Sequence, residues 1–352
     1  MIPPGETIGI LGGGQLGRML AMAAAQLGYR VHIYAPEEGS IAAEVSAAFT
    51  CAAWDDAAAM ARFAHDCAVI TYEFENVPVA PLAALGKVPL LPHPRALETA
   101  QDRLTEKRFV ENLGGRPAPY APVLGQEDLA IAVARIGAPG ILKTRRDGYD
   151  GKGQWRIAAP EDAGELELRG QPLVYEGLVR FTAEFSVLLC RSADGDIRFW
   201  DTPQNVHDGG ILARSSVPVS PLVMALVTEA RALAAKVAKA LDYVGVLTLE
   251  FFATTDGPVF NEMAPRVHNS GHWTIEGALT SQFENHIRAI CGLPLGDTAL
   301  AAAGVEMRNI IGDHVEDWAK ILSDPANHLH LYGKAAARPG RKMGHVTRLV
   351  LA

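Results

Sequence analysis

The stretch "TLEFFATTDGPVFNEM" holds two glutamates, Glu250 and Glu262, in apolar strands on either side of a turn. Alternation puts Leu247, Leu249 and Phe251 on one face and Thr248, Glu250 and Phe252 on the other. If Thr255, Asp256 and Gly257 form a three-residue loop, Thr254 faces Pro258 and Glu250 faces Glu262. The two carboxylates then stand about 5 Å apart at Cβ. Like charges so placed repel unless a cation lies between them. With Asn261 beside them they are hard oxygen donors, suited to Mg²⁺ holding a triphosphate. The competing reading is a pair of solvated acids on an edge hairpin, and the apolar strands weigh against it. A bulge would shift the register by one.

The next segment, "APRVHNSGHW", concentrates donors at Arg266, His268, Asn269, Ser270 and His272. His268 and His272 have the i, i+4 spacing of a zinc pair. Gly271 between them, and the lack of a third ligand at a recognisable spacing, argue against zinc. Donors aimed at a small oxyanion fit better.

Upstream, "LKTRRDGYDGKGQ" places Lys143 at a strand end before Gly148, Gly151 and Gly153. A Walker A loop needs four residues between its first two glycines, and here only Tyr149 and Asp150 intervene. A glycine-rich hairpin near cations can fold over polyphosphate, or be an ordinary mobile surface hairpin. Near the end, "GKAAARPGRKMGH" sets Lys334, Arg338, Arg341 and Lys342 in a Pro/Gly turn. It reads as a solvated basic turn or as a phosphate clamp.

The opening "TIGILGGGQLGRML" spaces Gly12, Gly14 and Gly17 as GxGxxG between a strand and a helix. The helix N-terminus would offer free N–H groups to a phosphate. A dinucleotide site also needs an acid at the end of the second strand. Glu37 lies at about that distance, but Ala35 and Pro36 occupy the strand end. A nicotinamide or flavin site and a glycine turn that only lets strand and helix pack both remain open.

These residues need elements to position them. "TIGIL" is a buried strand, "QLGRMLAMAAAQLG" a helix closed by Gly28, and "YRVHIYA" a second strand. "DDAAAMARFAHD" is a helix with Asp55 available near its N-cap, and "AVITYEF" another strand. This βαβ rhythm predicts a parallel, doubly wound sheet. "LPHPRALETAQDRLTEKRFVENLG" passes two prolines into a polar helix, and "RPAPYAP" reads as a linker. Beyond it, "GILK" and "QWRI" flank the glycine loop, "LVYEGLV" and "EFSVLLCR" are strands, and "PLVMALVTEARALAAKVAKALD" is a long amphipathic helix. The expected division is residues 1–113, 114–177 and 178–352.

Composition sets outer limits. The 352 residues are enough for two or three domains, and 49% hydrophobic with 20% charged is ordinary globular usage. A net charge of −8 without a basic block argues against nucleic acid or an anionic membrane as the main partner. No apolar run is long enough to span a bilayer, and no signal peptide is evident. Cys51, Cys67, Cys190 and Cys291 form no CxxC pair, which fits buried thiols in a reduced, cytoplasmic protein.

Together, the lysine strand with its glycine loop and the paired glutamates resemble the ATP-grasp superfamily. More narrowly, "GGGQLGRML", "RRDGYDGKGQW", "NEMAPRVHNSGHWT" and "RPGRKMGH" resemble the N5-carboxyaminoimidazole ribonucleotide synthetase family, from about residue 7 onward. Lys152 stands where arginine is also common. The resemblance implies an α/β chain with the ATP-grasp fold: a Rossmann-like N-terminal domain, a small glycine-lid domain and a C-terminal antiparallel-sheet domain. About residues 300–352 would supply a substrate phosphate clamp.

It also implies ATP-dependent carboxylation of 5-aminoimidazole ribonucleotide by bicarbonate, through carboxyphosphate, with Mg²⁺ or Mn²⁺. No nicotinamide is implied. Arg103, Lys143 and the loop Gly148, Tyr149, Asp150, Gly151, Lys152, Gly153 and Gln154 would contact ATP phosphates. Glu176, Gly177, Leu178 and Val179 would form a strand reading adenine through its backbone. Glu184 would take the ribose with His207 nearby, and Glu250 and Glu262 would hold the metal beside Asn261. Arg266, His268 and Asn269 would hold the carboxylate species. Gln15, Leu16 and Ser270 would lie near the ribonucleotide. Glu73, Tyr149 and Asp150 would position its amine, and Lys152, Lys334, Arg341 and Lys342 its phosphate. A homodimer is implied. The nearest alternative in the class is a formate-dependent glycinamide ribonucleotide transformylase; outside it, an NAD-dependent oxidoreductase.

Overall fold

The computed structural model describes residues 1–148, 153–166, 168 and 170–351. Tyr149, Asp150, Gly151 and Lys152 lie outside the described residues. The N-terminal sheet is parallel, with β1 (Thr7–Leu11), β2 (Arg30–Ala35), β3 (Ala48–Cys51) and β4 (Val69–Tyr72) in the order β3-β2-β1-β4. Crossovers α1 (Gln15–Gln26) and α2 (Ala57–His65) link them. Apolar β1 lies inside the sheet and β4 at its end, and both are buried on both faces. β3 had no sequence signature, because this edge strand is only partly covered. Cys51 at its end is exposed, so the expectation of four buried thiols holds for Cys67, Cys190 and Cys291 only.

Two helix boundaries differ from the sequence reading. Asp56, not Asp55, caps α2, accepting a hydrogen bond from Ala59 N at 2.9 Å. The expected polar helix is two, α3 (Pro94–Ala100) and α4 (Arg103–Asn112). Asp102 separates them: its backbone is extended and its carboxylate caps α4, accepting from Leu104 N and Thr105 N, each at 3.1 Å.

The second sheet is antiparallel, in the order β5-β8-β6-β7: β5 (Tyr120–Val123), β6 (Gly140–Thr144), β7 (Gln154–Ile157) and β8 (Leu173–Gly177). α5 (Gln126–Ile136) packs on it. The presumed linker "RPAPYAP" contributes β5, an edge strand whose proline-rich sequence hides its pairing with β8.

The third sheet contains β9 (Ala183–Arg191), β10 (Ile197–Phe199), β11 (Gln204–Asp208), β12 (Ile211–Val217), β13 (Gly245–Thr254), β14 (Gly257–Ala264), β15 (Gly304–Ile311), β16 (Asn327–Leu331) and β17 (Lys342–Val350). Its order is β14-β13-β9-β11-β12-β15-β17-β16, with β10 beside β9. α6 (Pro221–Ala240) covers one face through Val223, Val227, Ala230 and Val237. Leu247, Leu249 and Phe251 of β13 join that core, each fully covered side chain contributing about 1.5–3 kcal/mol. Alternation therefore turns Glu250 to the opposite face. There α7 (Thr274–Gly277) and α8 (Gln282–Ile290) follow the hairpin, and α1 packs against α8 within a shared core. The short α9 (Trp318–Leu322) precedes β16. No helix among the described residues is long and apolar enough to cross a membrane.

Candidate active site

The hairpin of β13 and β14 sets Glu250 directly opposite Glu262. It does so by a different route from the one expected. The turn leaves two residues, Thr255 and Asp256, so Thr254 faces Gly257 and Ala253 faces Pro258. A bulge at Asn261 then adds one residue to β14 and brings Glu262 back across from Glu250. The bulge frees backbone groups that α4 satisfies: Glu106 accepts from Met263 N at 2.6 Å, and Lys107 Nζ donates to Asn261 O at 3.4 Å. Burial and the charge of Glu262 push the Glu250 carboxyl above its ordinary range. Desolvation works against the Glu262 charge too, but Arg103 and Lys143 outweigh it and hold that carboxyl below its ordinary range.

The pair faces a cleft of about 650 Å³ into which all three sheets contribute residues. Its wall includes Gln15, Leu16, Glu73, Arg103, Lys143, Gly148, Gln154, Glu184, His207, Asn261, Arg266, His268, Asn269 and Lys342. Residues as far apart in sequence as 15 and 342 thus meet around one space. Arg103 donates to Glu262 at 3.3 Å and to Gly148 O at 3.0 Å, tying α4 to the glycine loop. Lys143 Nζ lies 2.9 Å from Glu176, which also meets Lys107 at 3.3 Å. Burial disfavours the Glu176 charge, but the two lysines dominate and bring that carboxyl down to about 2. Glu184 hydrogen-bonds His207, an ion pair that raises the imidazole against the opposing effect of burial.

His268 sits between the metal-type pair and a tight turn. Its Nδ1 accepts from Ser270 N at 3.3 Å and lies 2.8 Å from Ser270 Oγ. That assigns the ring proton to Nε2, which is 3.3 Å from Glu250 Oε1. Burial, with Arg266 and Lys342 nearby, keeps the imidazole neutral by lowering it well below its usual value. Both polar atoms of the Asn269 carboxamide are buried without a protein partner. A carboxamide left so is costly unless something small and polar meets it.

The glycine motif at the N-terminus serves a protein carboxylate. Gly14 N, at the start of α1, donates to Glu73 at 2.7 Å. A Cβ on Gly12 would lie 2.7 Å from Glu73 Oε1, one on Gly14 2.9 Å from it, and one on Gly17 3.1 Å from Glu73 Cγ. The GxGxxG spacing makes room for Glu73 at the position where a dinucleotide would place its pyrophosphate.

The comparisons with known proteins point the same way along the whole chain. Residues 5–101 match the ribonucleotide synthetase preATP-grasp domain, 108–283 the ATP-grasp domain, and 306–350 the phosphoribosylaminoimidazole carboxylase C-terminal domain. The chain is 50% identical to the N5-carboxyaminoimidazole ribonucleotide synthase of Brucella melitensis, across 99% of this chain and 97% of the relative. The chain belongs to the N5-carboxyaminoimidazole ribonucleotide synthase family. The Thermus thermophilus synthetase structure superposes with a TM-score of 0.90 at 48% identity, covering 97% of this chain and 93% of that one. The Aspergillus clavatus synthase in complex with ADP and 5-aminoimidazole ribonucleotide superposes at 0.89 with 32% identity, covering 99% and 94%. The ATP-grasp fold and its mixed α/β sheets are thereby established for this synthase-family chain.

Some expected site residues sit differently. The strand expected over Glu176–Val179 ends at Gly177. The N–H groups of Gly177 and Leu178 are already donated to Pro119 O at 2.9 Å and Pro139 O at 3.1 Å. Among the described residues, Ser270, Lys334 and Arg341 do not line the cleft. Ser270 is fully buried behind His268. Lys334 Nζ donates to Lys342 O at 2.7 Å, and Arg341 to Ala336 O at 2.7 Å, so both shape the basic turn beside Lys342. His272 is buried against His345 and Phe283, and no group of three or more His, Cys, Asp or Glu side chains placed to hold a metal occurs among the described residues. Sequence reasoning missed Glu75, which pairs with Arg266 at 2.7 Å. The repeat of acids in "EFEN" after β4 was the available signal. It also missed Glu106 and Lys107, which lie one helical turn beyond Arg103.

Proposed function

We propose that the chain carboxylates 5-aminoimidazole ribonucleotide with bicarbonate, using ATP, to give N5-carboxyaminoimidazole ribonucleotide, ADP and phosphate. The observation that carries this reading is the junction of the Glu250–Glu262 pair with the His268–Asn269 turn in one cleft. One half is suited to a metal nucleotide and the other to a small oxyanion. Glu250 and Glu262 fit Mg²⁺: two hard carboxylates face each other, and desolvation disfavours leaving both charged without a cation. When bound, the metal would neutralise charge on the phosphoryl group being transferred.

The remaining work falls to this chain's residues. Arg103, Lys143, Gly148 and Gln154 bind the phosphates, joined by the loop residues 149–153. Glu184 and His207 hold the ribose, and residues 176–179 border the adenine, the N–H groups of Gly177 and Leu178 being engaged elsewhere. Bicarbonate is a poor electrophile until phosphorylated. Carboxyphosphate, or the CO₂ it releases, must be kept from water until the amine attacks. His268 Nε2–H, the Asn269 carboxamide and Arg266 hold that species. Glu73, with Gln15 and Leu16, faces the aminoimidazole ribonucleotide, and Lys342 binds its phosphate from the basic turn that Arg341 and Lys334 shape. The division into residues 1–113, 114–177 and 178–352 and assembly as a homodimer belong to the same reading.

Isotopic labelling tests the reaction. Carbon from labelled bicarbonate should enter a product made only with ATP and the aminoimidazole ribonucleotide present, trapped by the next enzyme of purine synthesis. Label entering from formate, with glycinamide ribonucleotide as acceptor, would move the chain to the transformylase reading.

A further inference from the structure

Gln282 is the first residue of α8 and is fully buried. Its carboxamide makes two hydrogen bonds to one residue. Nε2 donates to His268 O at 2.6 Å, and Oε1 accepts from His268 N at 2.9 Å. This donor–acceptor pair reproduces what a neighbouring strand would offer, in a place where the chain after β14 has left the sheet. The orientation of the amide follows from its partners, since His268 presents one N–H and one C=O. A further bond closes the arrangement: Thr274 Oγ1 accepts from Gln282 N at 3.0 Å and donates to Gly271 O at 2.6 Å. Gly271 leaves the space for it, because a Cβ there would lie 2.7 Å from Gln282 Oε1.

We propose that Gln282 is a positioning residue, which fixes the backbone of His268 so that Nε2–H stays aimed into the cleft beside Glu250. The proposal rests on the reading of His268 as a group that retains the bicarbonate-derived species. Side-chain rotation alone cannot hold that aim, because the Ser270 contacts fix the ring only relative to the turn that carries it. The two Gln282 bonds fix the turn relative to α8, and α8 packs on the third sheet, with Phe283 and Ile287 in the shared core. A purely structural glutamine would lower all activity together. A positioning residue alters how ATP cleavage is divided between product and waste.

The test measures ADP and trapped carboxylated product in the same reaction for Q282M, Q282E and His268→Ala. Q282M keeps the volume and removes both bonds to His268, along with a longer contact from Nε2 to His272 Nδ1 at 3.4 Å, and each neutral bond contributes modestly, so ADP should exceed product by about tenfold. Q282E keeps an acceptor for His268 N but sets an oxygen against His268 O, so it should uncouple at least as far as Q282M. It serves as the second variant where it folds and Q282M does not. His268→Ala should itself uncouple. If His268→Ala uncouples while the folded Gln282 variants stay stoichiometric, the positioning role is overturned and the site reading stands. If His268→Ala remains stoichiometric, the retention role of His268 is wrong and this proposal falls with it.

Discussion

Single side chains carry the chemistry here, and two of them have sharply different expected phenotypes. Glu262 shares its carboxylate between the facing Glu250 and the guanidinium of Arg103. Glu262→Gln removes one charged oxygen donor and keeps the shape. Turnover should fall to near zero at ordinary Mg²⁺, the Mg²⁺ needed for half-maximal rate should rise sharply, and the melting temperature should barely move. A titration of rate against Mg²⁺ reads this, and an unchanged Mg²⁺ dependence would remove Glu262 from the metal site. Arg341 belongs to the basic turn, where it bonds Ala336 O. Arg341→Ala should raise KM for the ribonucleotide roughly tenfold, as the turn that aims Lys342 at the phosphate loosens, and leave KM for ATP in place. Equal losses for both substrates would mean that the turn serves the nucleotide or the fold.

Among the elements, α4 has the widest reach. It starts at the Asp102 cap, sends Arg103 to Glu262 and Gly148, and braces the β14 bulge through Glu106 and Lys107. Asp102 also meets Arg145 at 2.7 Å, tying the helix start to the glycine loop. Burial would raise the Asp102 carboxyl, but the Thr105 N–H and Arg145 overcome it and hold it below its ordinary value. Its contribution is therefore complete above the unfolded value of about 3.9 and is lost as pH falls through the lower folded value. Asp102→Ala should cost about 0.5–2 kcal/mol for the cap alone and lower Tm near neutral pH. Melting curves at descending pH should bring variant and parent together in the acid range. A gap that stays constant with pH would deny the carboxylate this role.

Elements were legible in the sequence where their period was strong. The parallel strands β1, β2 and β4, with α1, α6 and the β13–β14 hairpin, follow from apolar runs and turn residues. β3 and β5 did not, because edge strands are only partly buried and β5 carries Pro122. The facing of Glu250 and Glu262 was inferred from a loop of the wrong length, and a bulge the sequence does not announce restored it. Glu75 left only the acid repeat of "EFEN" as a signal, and Gln282 left none. Their partners, Arg266 and His268, lie 191 and 14 residues away in sequence, and only the folded chain brings them into contact.

At the scale of the whole molecule, the cleft is the product of three sheets, and each supplies a different class of group. The parallel sheet brings Gln15, Leu16 and Glu73, the small sheet Lys143 and Gln154, and the large sheet the acids and the histidine turn. Such a site couples its substrates, since cleaving ATP is useful only when acceptor and bicarbonate are both in place. The most direct measurement is phosphate release from ATP by the purified chain, with bicarbonate and 5-aminoimidazole ribonucleotide omitted singly and together. Fast release only when both are present, one phosphate per carboxylated product, is the predicted result. Release that is equally fast without bicarbonate, or without the ribonucleotide, would contradict the account.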